Sequence, residues 1–188
     1  MRVDRLGGIS AIGGTPVVRL ARLAGEGCAE VWVKMEAANP TGSYKDRMAL
    51  AMIEAAEADG RLRPGQLVVE YTGGSTGSSL ALVCAVKGYP LRIVSSDAFA
   101  DEKIATMRAF GAEVELIPSP EGITPGLIPS MMRRAAEQDA VGSRRDEVVR
   151  AAIDAGLRKS EVHRLTGIAR TTIDRIAGAV PAVEADPR

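Results

Sequence analysis

The sequence predicts an α/β fold in which a parallel sheet is followed by an all-helical module. Between residues 66 and 117, short apolar runs alternate with helix-like segments, which is typical of βαβ units on a parallel sheet. After residue 140 no strand pattern remains, and residues 143–178 contain eight Lys/Arg against five Asp/Glu. We therefore expect a first unit at residues 1–138, a helical module at 143–178 and a frayed tail at 179–188.

The predicted sheet has three strands separated by two helices. The strands are expected at residues 67–71, 91–95 and 114–117, and the helices at 78–87 and 101–110. Gly88 and Gly111 directly follow the two helices, where a glycine commonly ends a helix. The pattern indicates two consecutive crossovers on one sheet.

Further elements flank this sheet. Short strands are expected at 17–20 and 30–34, and a helix at 43–58. Ser43 is predicted as the N-cap of that helix, with Asp46 three residues later in a capping-box-like arrangement. Pro129 is expected in the first turn of a helix that runs to about residue 138. Three short helices are predicted for the helical module, at residues 143–155, 159–166 and 170–177.

Composition and charge argue against several classes of function. The 24 basic and 24 acidic side chains cancel, so no overall field directs the chain to nucleic acid or to a membrane. Two distant cysteines and a single histidine, His163, argue against a disulfide scaffold and against a metal site. No apolar run is long enough to span a bilayer, and the N-terminus lacks the apolar core of a signal peptide. We expect a cytoplasmic protein without a metal or a membrane segment.

The first candidate for chemistry is Lys45, in the segment NPTGSYKDR at residues 39–47. The segment places Lys45 in the first turn of a helix, directly after a turn that is rich in Pro and Gly. The positive end of the helix dipole disfavours an ammonium there, which favours the neutral amine that attacks an aldehyde. The alternative is an exposed lysine at an ordinary helix N-terminus.

The second candidate is a glycine-rich loop between a strand and a helix. Glycines let the backbone approach a ligand, and free N–H groups at a helix N-terminus attract an anion. The loop matches neither the dinucleotide-binding pattern nor the P-loop pattern. It therefore predicts a carboxylate or phosphate site, although ordinary strand–helix connections also use Gly and Ser. Its residues are Thr72, Gly73, Gly74, Ser75, Thr76 and Gly77.

In combination the motifs resemble a known family. The runs IGGTPVVRL, NPTGSYKDR and YTGGSTG occur in this order and resemble the cysteine synthase and cystathionine β-synthase group, which are fold-type II enzymes dependent on pyridoxal phosphate. The resemblance covers roughly residues 7–137. It implies that Lys45 is the Schiff-base lysine, which also moves the substrate α-proton. It also implies that the 72–77 loop binds the substrate α-carboxylate and contacts the cofactor ring hydroxyl through Ser75.

The chain departs from the family pattern in two respects. The usual loop is T-S-G-N-T-G, whereas Gly73 occupies the serine position and Ser75 the asparagine position here. In addition, the family's Gly/Thr-rich phosphate loop and the hydroxyl residue that faces the pyridine nitrogen do not occur after residue 118. By resemblance, the chain corresponds to the N-terminal half of such an enzyme. We expect the apolar surface around Val31, Trp32 and Val33 to lack its usual cover.

The tail contains the segment KSEVHRLTGIARTTIDRIA at residues 159–177, which resembles a helix-turn-helix of DNA-binding proteins. Gly167 lies at the expected tight turn, and apolar residues recur at the spacing that packs two helices together. His163 departs from the pattern, because a small residue is usual at the helix crossing. The resemblance implies that the second helix enters the major groove, and the alternative is a helical hairpin used for packing or dimerisation. The candidate DNA-binding residues are Arg170, Thr171, Thr172 and Arg175.

Three hypotheses about function remain open from the sequence. The first is a lyase or β-replacement enzyme that uses pyridoxal 5'-phosphate on a small amino acid, impaired as a single chain. The second is a catalytically inactive fragment that acts as a DNA-binding regulator through the helix-turn-helix. The third is a gene remnant that folds poorly. For the first two we expect a homo-oligomer, because uncovered apolar surface favours self-association.

Overall fold

The structure is a computed structural model that describes residues 8–22, 25, 27–166, 168 and 170–178. Of the side chains within these ranges, those of residues 143, 171 and 175 are not described. The predicted turn at Gly167 and the predicted tail at 179–188 lie outside the described residues.

The described strands form two separate sheets. The first is an antiparallel pair, and the second is a parallel sheet with strand order β3-β4-β5. The strands are β1 (Val17–Arg19), β2 (Trp32–Lys34), β3 (Val68–Tyr71), β4 (Leu91–Ser96) and β5 (Glu113–Ile117). The predicted α/β class with a parallel sheet is confirmed.

Six α-helices are described, together with short 3-10 helices at Ile9–Ala11 and Glu36–Ala38. The helices are α1 (Lys45–Ala58), α2 (Ser75–Lys87), α3 (Asp101–Ala109), α4 (Leu127–Asp154), α5 (Lys159–Thr166) and α6 (Arg170–Ile176). Gly88 and Gly111 have φ angles of 78° and 87°, so both adopt the left-handed conformation that was expected at the ends of α2 and α3.

Helices cover both faces of the parallel sheet. On one face, α1, α2 and α3 bury a cluster that includes Ile53, Leu80, Ile93 and Met107. On the other face, α4 packs on β4 through Leu127, Met131 and Ala135. Because the three strands are parallel, the connections after β3 and β4 lie at the same carboxyl edge of the sheet, where α/β proteins commonly bind ligands.

Two sequence predictions about helix boundaries are wrong. The helices expected at 129–138 and 143–155 form the single helix α4, which has 28 residues. The helix tolerates Gly142 because the residue lies against Leu67, where a Cβ on Gly142 would come within 2.8 Å of Leu67 Cδ2. The helix predicted from residue 78 begins at Ser75, so part of the predicted loop is helical. The division into units 1–138 and 143–178 stays a prediction, and α4 joins the two ranges.

The end of α4 takes part in a third core with α5 and α6. Val149, Val162, Ile173 and Ile176 are buried together, and all four are at most 5% exposed. The predicted helices at 159–166 and 170–177 are present with nearly the expected bounds. The last turns of α4 and the two short helices therefore form a small helical unit with its own apolar centre.

The antiparallel pair β1–β2 is exposed. Trp32 is 55% exposed and Val31 is 46% exposed, and both strands are exposed at every position. Val31, Trp32 and Val33 are therefore exposed to solvent, as the sequence predicted. Several exposed apolar side chains in one short segment are typical of an interaction site.

The continuity of α4 predicts a sharp response to proline at Ala140, which is exposed in the middle of the helix. We expect Ala140→Pro to lower the free energy of unfolding by about 3 kcal/mol or more, because proline removes a backbone hydrogen bond and its ring clashes with the preceding turn. The control Ala140→Ser should lower it by only about 0.5 kcal/mol. Urea unfolding followed by circular dichroism measures both. Equal losses in the two variants would contradict a continuous helix.

Candidate functional site

Lys45 is the first residue of α1, so the structure places it in the predicted first turn. The N-cap position belongs to Tyr44 rather than to the predicted Ser43, and Ser43 Oγ instead accepts a hydrogen bond of 3.1 Å from the backbone N–H of Lys45. Lys45 Nζ lies 4.6 Å from the centre of the Tyr44 ring, a contact that stabilises a cation. Lys45 is half-buried, and Tyr44 is exposed.

Asp46, the next residue, is fully buried and connects α1 to the preceding turn and to α2. Its carboxylate accepts hydrogen bonds from the backbone N–H of Thr41 at 2.8 Å and from the Thr41 hydroxyl. It also accepts a hydrogen bond of 2.5 Å from Ser79 Oγ, which belongs to α2. These partners differ from the capping box predicted between Ser43 and Asp46. The contact with Ser79 brings the lysine end of α1 to the first turns of α2.

The predicted carboxylate loop connects β3 to α2 at the carboxyl edge of the sheet. The backbone N–H of Thr72 donates to Val94 O at 3.0 Å, which joins the loop to β4. The Thr72 hydroxyl accepts a hydrogen bond of 3.3 Å from the N–H of Gly74, which is the N-cap of α2. Ser75, Thr76 and Gly77 form the first turn of the helix, where backbone N–H groups favour an anion.

Gly77 is required by close packing. A Cβ at this position would lie 2.7 Å from Thr72 Cγ2 and 2.9 Å from Met107 Sδ. The first turn of α2 therefore lies directly against the strand end and against α3. The structure thus brings Lys45 and the 72–77 loop to neighbouring helix starts, joined by the hydrogen bond between Asp46 and Ser79.

A second polar network surrounds the segment that leads to Lys45. Glu36 is its centre: it accepts hydrogen bonds from Arg47 Nε at 2.9 Å and from Thr15 Oγ1 at 2.6 Å. Asn39, which is buried, donates to Glu36 and accepts a hydrogen bond of 2.9 Å from the backbone N–H of Gly13. The Arg47 and Thr15 hydrogen bonds lower the pKa of Glu36 to about 2. The carboxylate therefore stays ionised at any pH well above 2, and the network joins the residues before β1 to α1.

These supporting residues were missed by the sequence reasoning, although most of them lie inside the motifs that it used. Thr15 and Gly13 belong to the IGGTPVVRL run, and Asn39 and Arg47 to the NPTGSYKDR run. The polar residues Thr15, Asn39 and Arg47 in these runs are the sequence signal that could have predicted a hydrogen-bond network. Ser79 ends the Gly- and Ser-rich segment 70–79 but was given no role, and Glu36 lies outside every motif.

The candidate DNA-binding residues lie on α6. Arg170 is exposed and Thr172 is half-buried, whereas the side chains of Thr171 and Arg175 are not described. The α5–α6 pair is joined by an ion pair of 2.7 Å between Lys159 and Asp174. His163 Nδ1 lies 2.8 Å from Ile168 O, so this side chain bridges α5 and the segment before α6. That contact gives the unusual histidine a structural role.

Neither a metal site nor a membrane-spanning helix is found among the described residues. Within these residues, no group of three or more His, Cys, Asp or Glu side chains is arranged to hold a metal ion. Over the same residues, no helix combines the length and apolar character needed to cross a membrane.

Comparison with protein families gives a match to the model described as "Pyridoxal-phosphate dependent enzyme", over residues 9–151. Among curated proteins, the chain is similar to cysteine synthase B of Salmonella typhimurium, with 46% identity over 112 residues. It is also 47% identical over 112 residues to a cysteine synthase of Staphylococcus aureus. Each alignment covers 60% of this chain but only 37% and 36% of the relatives, respectively.

Solved structures agree with this relationship. O-ureido-L-serine synthase is 39% identical, with a TM-score of 0.62, over 70% of this chain and 41% of that protein. A hydrogen sulfide-producing enzyme from Fusobacterium nucleatum is 38% identical, with a TM-score of 0.62, over 71% of this chain and 42% of that protein. The chain therefore spans about two fifths of the length of these relatives.

The contact between Asp46 and Ser79 predicts different effects at two adjacent serines. Ser79→Ala should lower the free energy of unfolding by about 1–3 kcal/mol, because it removes a donor from a buried carboxylate. The control is Ser78→Ala, since Ser78 Oγ is buried without a hydrogen-bond partner among the described residues. Ser78→Ala should leave the stability unchanged or raise it. Urea unfolding of both variants is the measurement, and equal losses would contradict the assigned role of Asp46.

Proposed function

Because the chain belongs to the pyridoxal-phosphate-dependent enzyme family, we propose that it provides the lysine and the carboxylate loop of a cysteine synthase-type site. The proposed substrate is a small amino acid, and the proposed reaction is a lyase or β-replacement reaction. The main support is the hydrogen bond of 2.5 Å between Asp46 and Ser79, because it holds the start of α1 beside the start of α2. The lysine and the loop must be neighbours for one ligand to contact both.

The residues present fit two parts of pyridoxal 5'-phosphate and its substrate. The primary amine of Lys45 is the group that reacts with the aldehyde of the cofactor. The N–H groups at the start of α2 suit the carboxylate of an amino acid, and Ser75 is the proposed contact to the ring hydroxyl. After residue 118 the sequence offers no glycine-rich loop for the phosphate. We therefore propose that cofactor binding by this chain is weak.

The roles follow from this placement. When bound, the cofactor withdraws electrons from the substrate Cα, which makes its proton acidic. Lys45 Nζ holds the cofactor and then moves this proton. The 72–77 loop fixes the carboxylate and thereby orients the Cα–H bond toward Lys45. Asp46 holds Lys45 in place through α1 and has no contact with the reacting atoms in this proposal.

Oligomeric state and location are part of the same proposal. The strands β1 and β2 expose apolar side chains on both faces, with Val17 and Trp32 on one face and Val18 and Val33 on the other, which favours a homo-oligomer. A cytoplasmic location stays a prediction.

The proposal predicts selective labelling of Lys45. With substoichiometric pyridoxal phosphate and borohydride reduction, peptide mass spectrometry should find the label on Lys45 several times more often than on Lys34, Lys87, Lys103 or Lys159. The reason is that only Lys45 lies beside a loop that binds anions. Lys45→Ala should remove this preference, whereas Ser78→Ala should leave it unchanged. Equal labelling of all lysines would reject the site, and a strong visible absorbance of the protein as purified would reject weak binding.

A second candidate function is DNA binding by the helical unit. It is favoured by the separate core that α4, α5 and α6 form around Val149, Val162 and Ile173, because a three-helix form of the helix-turn-helix occurs among DNA-binding domains. Arg170 is exposed at the start of α6, the position that reaches base edges in this motif. In this candidate the α/β unit supplies the dimer contact, and the two α6 helices lie roughly 34 Å apart.

This candidate predicts that DNA binding depends on the arginines of α6 and not on exposed arginines elsewhere in the chain. The double variant Arg170→Ala, Arg175→Ala should stay folded but lose binding to duplex DNA pools, with affinity in the parent falling steeply as salt rises. The matched control Arg63→Ala, Arg133→Ala removes the same charge from exposed positions elsewhere and should retain binding. Lys45→Ala should also retain it. Fluorescence anisotropy at low and moderate salt is the measurement, and absence of binding by the parent at either salt would reject the candidate.

A further inference from the structure

The ring of Phe99 lies directly over Gly73 of the 72–77 loop. A Cβ at Gly73 would come well inside 3.0 Å of three ring atoms, Cδ1, Cε1 and Cζ, a separation that real Cβ atoms essentially never show. Gly73 does not have a positive φ, so its backbone conformation is open to other residues. The position is therefore restricted to glycine by the ring of Phe99 and not by backbone strain.

Phe99 is held firmly in this place. It packs against the buried cluster that Val94 of β4 forms with Leu127, Met131 and Ala135 of α4. The turn that contains it is fixed by a hydrogen bond of 3.1 Å from the N–H of Ala98 to Ser96 Oγ. Because a phenyl ring has only two side-chain torsions and this one packs against a buried cluster, moving it aside would disturb that packing.

The position of this pair connects it to ligand binding. Gly73 follows β3 and Phe99 follows β4, and these are adjacent parallel strands. Both residues therefore lie at the carboxyl edge of the sheet, the edge where the 72–77 loop faces a ligand in the proposed function. Phe99 is only partly buried, so part of this residue is accessible to solvent.

We infer that Phe99 and Gly73 form a matched pair, in which the phenyl ring fills the space that a side chain at position 73 would occupy. We further infer that the ring limits the size of the amino-acid side chain that the site accepts. The inference rests on the proposed function for its ligand, but its steric part does not. The class of ligand that fits is a small α-amino acid whose side chain ends before the phenyl ring.

The steric part is tested by a double-mutant comparison of unfolding. Gly73→Ser should lower the urea midpoint in the parent, because the new Cβ and hydroxyl collide with Phe99. In the Phe99→Ala background the same change should lower the midpoint much less, because the space is vacant. The matched control is Gly74→Ser, since a Cβ on Gly74 would meet no atom within 4 Å. Equal losses from Gly73→Ser in both backgrounds would overturn the pair.

The ligand part is tested by calorimetric titration of protein supplemented with pyridoxal phosphate, using L-alanine and L-norleucine as probes. Phe99→Ala should tighten L-norleucine binding by about tenfold relative to L-alanine, because a few methylene groups in an apolar site are worth this much. Phe99→Leu, which retains most of the bulk, should shift the ratio less. An unchanged ratio in Phe99→Ala would overturn the size limit. If no variant binds either probe, the proposed function is rejected. The unfolding comparison would still show whether Phe99 excludes a side chain at position 73.

Discussion

The carboxylate of Asp46 is fully buried, and the arrangement of the candidate site depends on the groups that satisfy it. An isolated buried charge is strongly unfavourable, so it persists only where hydrogen bonds compensate for lost water. Thr41 supplies two of these and Ser79 supplies the third. The three donors come from the turn before α1 and from α2. Satisfying one charge therefore fixes the turn, the helix with Lys45 and the helix after the glycine loop relative to one another.

The network around Glu36 extends this constraint to the N-terminal segment. Arg47 follows Asp46 by one residue, so one turn of α1 presents a buried anion to α2 and a cation to Glu36. Asn39 links Glu36 to the backbone at Gly13. Motif residues that have no direct chemistry thus hold Lys45 from two sides. This explains why the lysine is surrounded by a long, specific run of residues rather than by a short signature.

The sequence predicted those features that depend on local chemistry. Glycines at 88 and 111 marked helix ends because the left-handed conformation favours glycine, and the strand–helix alternation predicted the parallel sheet. It could not predict contacts between distant residues, such as Asp46 with Ser79, which are 33 positions apart. It also predicted separate helices at 129–138 and 143–155, and Gly142 in the gap between them disfavours helix by about 1 kcal/mol relative to alanine. Tertiary packing of Gly142 against Leu67 overrides that preference.

The continuity of α4 has a consequence for the whole chain. Its first turns contribute Leu127 and Met131 to the cluster against which Phe99 packs, and its last turns contribute Val149 to the core that α5 and α6 share. Because the family match extends to residue 151, nearly all of this helix belongs to the family region, and α5 and α6 follow it. A helix transmits position well along its axis, since each residue is fixed by backbone hydrogen bonds. One continuous helix therefore takes part both in the cluster beside the glycine loop and in the core of the helical unit, whatever the function of each.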